Sequence, residues 1–382
     1  MNRREFLLGS LAGAGAVGLN LGCNSKLEKQ VRLRDDGVFL MNGNPFYPIG
    51  TYRDPRDTLM DFESVRQAGF NLAHSYYFES DLSEQPNHNG GEAINEDVII
   101  TAKKYLYEAN KKRLKVFMGL PREMIRNEDL EGIKEYVSFL KNEPSLLVWY
   151  LFDEPEIHHA SPSLMRKVKN IVSEIDPIHP TLTVFSNIKR VKYYEDSYDI
   201  AGFDQYPIYG NEGDVNSVKE TLEESKKQIG NNPFWHIVQA HDLTKHYDEN
   251  KDKLYLPSVE QIKCMTYLGI ISGAKATIYY WSPSYLCNIL EYPKIWKGIC
   301  SIVQELNEIS PILTARDDID LTNRIRLSDP ENLPLLVKNY ENNPYLFITN
   351  PFEKTIKTSL SLSKDKEREV SLRPYEVRVM EI

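Results

Sequence analysis

The sequence holds few of the residues on which several chemistries depend. It has 4 cysteines and 8 histidines in 382 residues. Cys23, Cys264, Cys287 and Cys300 match no zinc spacing, and the three beyond Cys23 allow at most one disulfide. No His-Glu-x-x-His pattern occurs, and the adjacent pair His158-His159 is a poor chelate because neighbouring residues rarely ligate one ion together. No metal is therefore assigned. Glycine-rich phosphate loops, a dinucleotide fingerprint and a Gly-x-Ser-x-Gly elbow are also missing, so no cofactor is expected and nucleotide, redox and esterase chemistries are disfavoured. Positive charge is in deficit, with a formal net charge of −9. That balance argues against nucleic acid and anionic membrane surfaces as partners. After the first 22 residues no apolar run is long enough to span a bilayer.

Those first residues read as an export signal. Arg3-Arg4 precede Phe6-Leu7-Leu8, a small apolar stretch follows, and Leu21-Gly22-Cys23 closes it. The paired arginines resemble a twin-arginine signal, and Cys23 after Gly22 resembles a lipoprotein attachment point, although Asn20 stands where leucine is usual. Residues 1–22 are expected to be removed, leaving 360 with a net charge near −10. The expected location is periplasmic, outer-membrane-anchored or secreted, with membrane contact only through the lipid on Cys23.

The remaining length suits one large domain and an accessory module. Residues 31–48 read as an extended hairpin turned at Asp36-Gly37 and Asn42-Gly43. Eight short apolar runs follow: 46–52, 71–78, 114–120, 146–153, 181–186, 200–206, 235–239 and 276–281. Segments with helical periodicity lie between them. Ser161 and Pro162 open one with Leu164, Val168, Ile171, Val172 and Ile175 on one face, and Ser258 with Gln261 suggests a capping box before another. Strands alternating with helices imply a parallel sheet, and eight of them close it into a (β/α)8 TIM barrel over 31–312. A doubly wound open sheet is the alternative, weakened because no glycine-rich turn follows the first strand. From about 313 to 382 the helical pattern gives way to short strand-like runs, which suits a small C-terminal β-sandwich.

Reactive groups of such barrels sit at the C-terminal strand ends. Those ends carry Arg53, His74, Asp153-Glu154-Pro155-Glu156, Asn187, Asp204-Gln205-Tyr206, Gln239-Ala-His241 and Tyr280-Trp281. Adjacent carboxylates after an apolar strand are costly unless they work or are paired. Each raises the other's pKa, and a carboxylic acid kept protonated near neutrality is what a leaving oxygen requires. The competing reading is an ion pair with Arg53 or a helix cap.

Trp149-x-x-x-Asp153-Glu154-Pro155 resembles the Asn-Glu-Pro motif after strand four of clan A glycoside hydrolases, with aspartate replacing asparagine. The N-terminal hairpin, Tyr47-Pro-Ile-Gly50, Asp204-x-Tyr206-Pro207, Trp281 and Leu372-x-Pro374-Tyr375-Glu376-Val377 fit the same resemblance, which spans nearly the whole chain after residue 22. It implies that Glu154 is the general acid/base and that the substrate is a carbohydrate. One departure stands out: the clan's nucleophilic glutamate ends strand seven, where this chain has Gln239. Three readings follow. Glu154 pairs with Asp204 as second carboxylate, at about 5–5.5 Å for retention or about 6.5–9.5 Å for inversion. Or Asp153 and Glu154 form a dyad, resembling hexosaminidases in which the aspartate orients a substrate acetamido group. Or catalysis has been lost and the barrel only binds sugar. Under each, Arg53, His74, Asn187, Tyr206, Gln239, His241 and Tyr280 are candidate substrate contacts, with Trp281 as the floor of the subsite.

Overall fold

The computed structural model describes residues 31–52, 61–78, 98–210, 212–244, 255–281, 289–328, 333–363 and 366–382. Its first elements are β1 (Val31–Leu33), β2 (Phe39–Met41) and β3 (Asn44–Phe46), a three-stranded antiparallel sheet. Both expected turns form. Asn42 (φ 53°) and Gly43 (φ 83°) each take positive φ, the geometry of a tight two-residue hairpin turn. At Gly37 (φ 82°) a Cβ would stand 2.3 Å from Pro233 Cβ, because this sheet presses on the strands' N-terminal end. Phe39 packs on Trp235 there, with ring centroids 5.9 Å apart, and closes the floor.

Eight parallel strands then form a closed barrel: β4 (Ile49–Tyr52), β5 (Leu72–His74), β6 (Lys115–Gly119), β7 (Leu146–Asp153), β8 (Thr181–Phe185), β9 (Ile200–Phe203) and, after the short hairpin β10 (Ile208–Tyr209) and β11 (Glu212–Gly213), β12 (Phe234–Gln239) and β13 (Thr277–Tyr280). Each lies within one of the expected runs, apart from β12 starting one residue earlier at Phe234. Their side chains divide by strand alternation. One set, including Leu72, Phe117, Tyr150, Val184, Trp235 and Ile278, fills the barrel. The other, including Ile49, Met118, Trp149, Phe203 and Tyr279, packs beneath the surrounding helices. Both faces are apolar, as parallel strands require.

The helix caps form as the sequence indicates. Ser161 accepts from Leu164 N–H with Pro162 in the first turn, and Ser258 and Gln261 make a reciprocal capping box. No helix among the described residues is long and apolar enough to cross a membrane.

At the C-terminal end β14 (Arg316–Asp317), β16 (Leu335–Tyr340), β17 (Asn343–Thr349) and β20 (Val377–Glu381) form one antiparallel sheet, and β15 (Arg326–Leu327), β18 (Ile356–Ser363) and β19 (Lys366–Leu372) a second. Val337, Leu346, Ile348, Leu360, Val370 and Leu372 fill the space between them. A short helix, Ile319–Arg324, interrupts the all-strand pattern expected here. It buries none of its residues and is held by Asp318 accepting from Leu321 N–H, so it leaves no periodic apolar signature. This module rests on the barrel helix Val259–Ile271 through Phe347 against Tyr267 and Thr349 against Cys264. Asp317 adds ion pairs to Lys338 (2.5 Å) and Lys275 (3.5 Å).

Candidate active site

The end of β7 is shaped by an irregularity. Val148 and Tyr150 face the barrel interior, and Trp149 and Leu151 face the helices. Unbroken alternation would turn Phe152 inward and Asp153 outward. Pairing with β8 instead slips, so that Tyr150 opposes Leu182 while Phe152 opposes Thr183. Such a bulge re-aims the side chains beyond it. Phe152 enters the outer layer, and Asp153 comes over the barrel, where Tyr150 Oη donates to its Oδ1 at 2.5 Å. Arg122, at the start of the helix Arg122–Arg126 after β6, donates to Asp153 Oδ2 at 3.2 Å.

Glu154 follows in the left-handed region (φ 49°), a conformation that costs a non-glycine residue about 1–2 kcal/mol. Its N–H donates to Val184 O (2.9 Å), and its carbonyl accepts from Ile157 and His158 N–H (3.0 and 2.9 Å). The chain thus leaves the strand in a tight turn, and the Glu154 carboxyl meets Asp204 from the end of β9 with the Ser186 hydroxyl alongside. Burial, then the negative charge of Asp153, raises the Glu154 carboxyl above the ordinary carboxylate range. Asp204 is only 8% exposed, and burial, then the charge of Glu154 and Asp153, pushes it well above that range. His158 Nε2 stands 3.7 Å from Glu154 Oε2.

The structure therefore brings Asp153, Glu154 and Asp204 together, with the Glu154 and Asp204 carboxyls as direct neighbours.

Aromatic rings cover the neighbouring part of the mouth. Tyr52 stacks on Tyr76 (4.7 Å, 14°) and Tyr206 on Tyr280 (5.9 Å, 19°), with Tyr280 edge-on to Tyr52 at 5.2 Å. Tyr76, Tyr206 and Tyr280 are each partly exposed, and Asn187 is exposed at the end of β8.

Four expected contacts are buried rather than open to the mouth. Trp281 is 7% exposed and packs against Phe70 and Trp296 in the helix layer, because alternation that turns Tyr280 inward turns Trp281 out. His74 and His241 are fully buried. Nδ1 of His74 bonds Phe117 O at 2.7 Å while the ring stacks on Phe117, and Nδ1 of His241 bonds Tyr280 O at 3.2 Å under Tyr206 and Tyr280. Gln239 is buried and committed to backbone: Oε1 accepts from Ile208 N–H (2.9 Å), and Nε2 donates to Ile208 O (2.8 Å) and His241 O (3.3 Å). It clamps the loop leading into β10 and offers no group to a substrate. Arg53 and Cys23 lie outside the described residues.

Two residues of the site, Arg122 and Tyr150, escaped the sequence analysis, and a third, Glu156, stood there at its strand end without a role. Arg122 stands two positions after the third apolar run, the same signal that marked Asp153. Tyr150 is indistinguishable in sequence from any strand tyrosine. Glu156 is 4% exposed, and its Oε1 accepts from both Ser186 and Asn187 N–H at 2.9 Å. It fixes the corner that carries the Ser186 hydroxyl, and burial raises its carboxyl above the ordinary range. Among the described residues no group of three metal-ligating side chains converges.

No family model and no curated protein sequence matches the chain. Solved structures do. An alpha-amylase from Geobacillus thermoleovorans superposes with a TM-score of 0.57 at 12% identity over 92% of this chain and 99% of its own. A family 5 glycoside hydrolase from Bacteroides vulgatus gives 0.60 at 13% over 94% and 91%, and Eubacterium rectale Amy13B gives 0.56 at 10% over 93% and 97%. At such identities the likeness is one of fold. The chain is a (β/α)8 barrel with an appended β-sandwich, of the architecture these glycoside hydrolases share.

Proposed function

We propose that the protein is an exported glycoside hydrolase-like enzyme that cleaves glycosidic bonds in an extracytoplasmic glycan, with Glu154 as general acid. The observation that carries this reading is the contact between two carboxyls of raised proton affinity, Glu154 and Asp204, at the C-terminal end of a barrel. Two carboxyls in contact cannot both ionise cheaply, so the pair holds its last proton more tightly than a lone carboxyl and titrates as a unit. Asp204, the more deeply buried, stores that proton, and Glu154, 23% exposed, presents it to the leaving oxygen. Asp153, fixed by Tyr150 and Arg122, supplies the anion that keeps the pair from losing it. Tyr206 and Tyr280 give the sugar a face to pack on, and Asn187 a polar edge. With Gln239 committed to backbone, attack falls to water or to a group of the substrate itself. Resemblance to the clan, and the fold shared with an alpha-amylase and a family 5 hydrolase, support the substrate class. Removal of residues 1–22, lipidation of Cys23 and domain limits of 31–312 and 313–382 belong to the same proposal.

The second reading is a carbohydrate-binding barrel without catalysis, which the engagement of Gln239 favours. Replacing Glu154 by Gln and Asp204 by Asn, and assaying hydrolysis and binding on a glycan panel, separates the two. An enzyme loses about 10²–10⁴-fold in kcat with E154Q while glycan binding persists. In D204N the alkaline limb of the pH profile moves to lower pH, because Glu154 no longer shares its last proton with a second carboxyl. Binding by the wild type without turnover of any glycan in the panel rejects the enzyme.

A further inference from the structure

The carboxyl pair must exchange protons with solvent, yet both its members are largely covered. Asp204 is 8% exposed and Glu154 23%. His158, 37% exposed, is a titratable side chain beside the pair, with Nε2 at 3.7 Å from Glu154 Oε2. The backbone enforces this placement. Left-handed φ at Glu154 and the bond from His158 N–H to Glu154 O (2.9 Å) hold the two residues at opposite ends of a single tight turn. Reaching hydrogen-bonding distance from 3.7 Å takes a movement of about 0.9 Å, within a side-chain rotation.

We infer that His158 is a positioning residue that passes protons between solvent and the Glu154–Asp204 pair. The inference rests on the proposed reading of Glu154 as a proton donor. When Glu154 has given its proton to the leaving oxygen, neutral His158 takes a proton from solvent at Nδ1 and delivers its Nε2–H to Glu154 Oε2. A proton released by the attacking water leaves by the reverse path. Histidine returns to its starting state, and glycoside plus water gives two hydroxyl compounds with no net proton change.

The surroundings suit a transient rather than a standing cation. Arg122 and Arg126 from the helix after β6, and His159 from the same turn, oppose positive charge on His158; Asp153 favours it. Burial, followed by Arg122, holds its pKa below the ordinary 6.5. An imidazolium that acidic does not remain as a fixed counter-ion to the pair, and it transfers its proton readily.

The test uses the full chain and His158→Gln, which keeps size and polarity but cannot relay. Two measurements are made. The first is the pH dependence of kcat on a hydrolysed glycan: H158Q lowers kcat about tenfold, less than the about 10²–10⁴-fold loss expected on removing the acid itself, and added imidazole restores part of the rate in H158A. An unchanged kcat, or a loss that imidazole does not touch, overturns the relay. The second needs no turnover. With side-chain carboxyls labelled with carbon-13, the Glu154 resonance of the wild type carries an inflection from His158 charging, and H158Q removes it. A Glu154 titration curve identical in both proteins overturns the contact itself. If that curve changes while no glycan is hydrolysed, the failure lies with the proposed activity and not with the His158–Glu154 pairing.

Discussion

His236 allows a quantitative test of how the barrel is packed. It lies in β12 facing the helix Val259–Ile271, is fully buried, and neither ring nitrogen has a hydrogen-bond partner among the described residues. Gly269 makes the fit: a Cβ there would stand 2.3 Å from His236 Nδ1. Burial alone drives the imidazole pKa from 6.5 down to about 3. The native state therefore keeps it neutral while the unfolded chain takes up a proton below 6.5. Between 6.5 and 3 the unfolded state binds more protons, so stability falls as pH falls through that window and levels off below it. At about 1.4 kcal/mol per pH unit the whole window is worth up to about 5 kcal/mol, and acidification to pH 4 about 3. The perturbation is His236→Leu, which removes the titrating group and two unpartnered nitrogens while keeping an apolar side chain of comparable size. Urea unfolding of both proteins at pH 7.5 and pH 4 gives four free energies. Other acid-sensitive groups contribute equally to both proteins and cancel in the difference of differences. The wild type should lose about 3 kcal/mol more than H236L on acidification, and H236L should be no less stable at pH 7.5, since an unpaired buried polar group is unfavourable. Equal acid sensitivity in the two proteins would refute the assignment of a buried, neutral, unpartnered imidazole.

Two further substitutions probe the site. Glu156→Ala removes the acceptor of two partly buried N–H groups, whereas Glu156→Gln keeps an acceptor for them; thermal unfolding should show the Ala variant as the weaker. Gln239→Glu places a carboxylate against the carbonyls of Ile208 and His241 in place of the amide that donates to them, so it should cost about 2–3 kcal/mol and create no retaining activity. Trapping of a covalent glycosyl-enzyme on the introduced carboxylate of that variant would show the structural role assigned to Gln239 to be wrong.

The barrel was legible because its strands are buried on both faces. Such strands appear as short apolar runs of regular recurrence, and every described barrel strand lies in or against one of them. The turns were legible for an equally local reason: Asn42-Gly43 accepts positive φ, and Ser258 with Gln261 satisfies its own helix end. Asp153-Glu154-Pro155 was visible because two charges closing an apolar strand are conspicuous in one dimension. The β-bulge that turns Asp153 inward was not, since it depends on how β7 registers against β8.

Sequence alone thus determined the chain's periodicities, its turns and the place along it where carboxyls meet an apolar strand, because these are set by neighbours within a few residues. Tertiary structure decided which side of each strand faced the mouth: Tyr280 in and Trp281 out, Gln239 bound to a loop about thirty residues earlier, Asp204 brought beside Glu154. Those outcomes depend on strand register and barrel closure, which couple residues far apart in the chain and leave no trace in local composition.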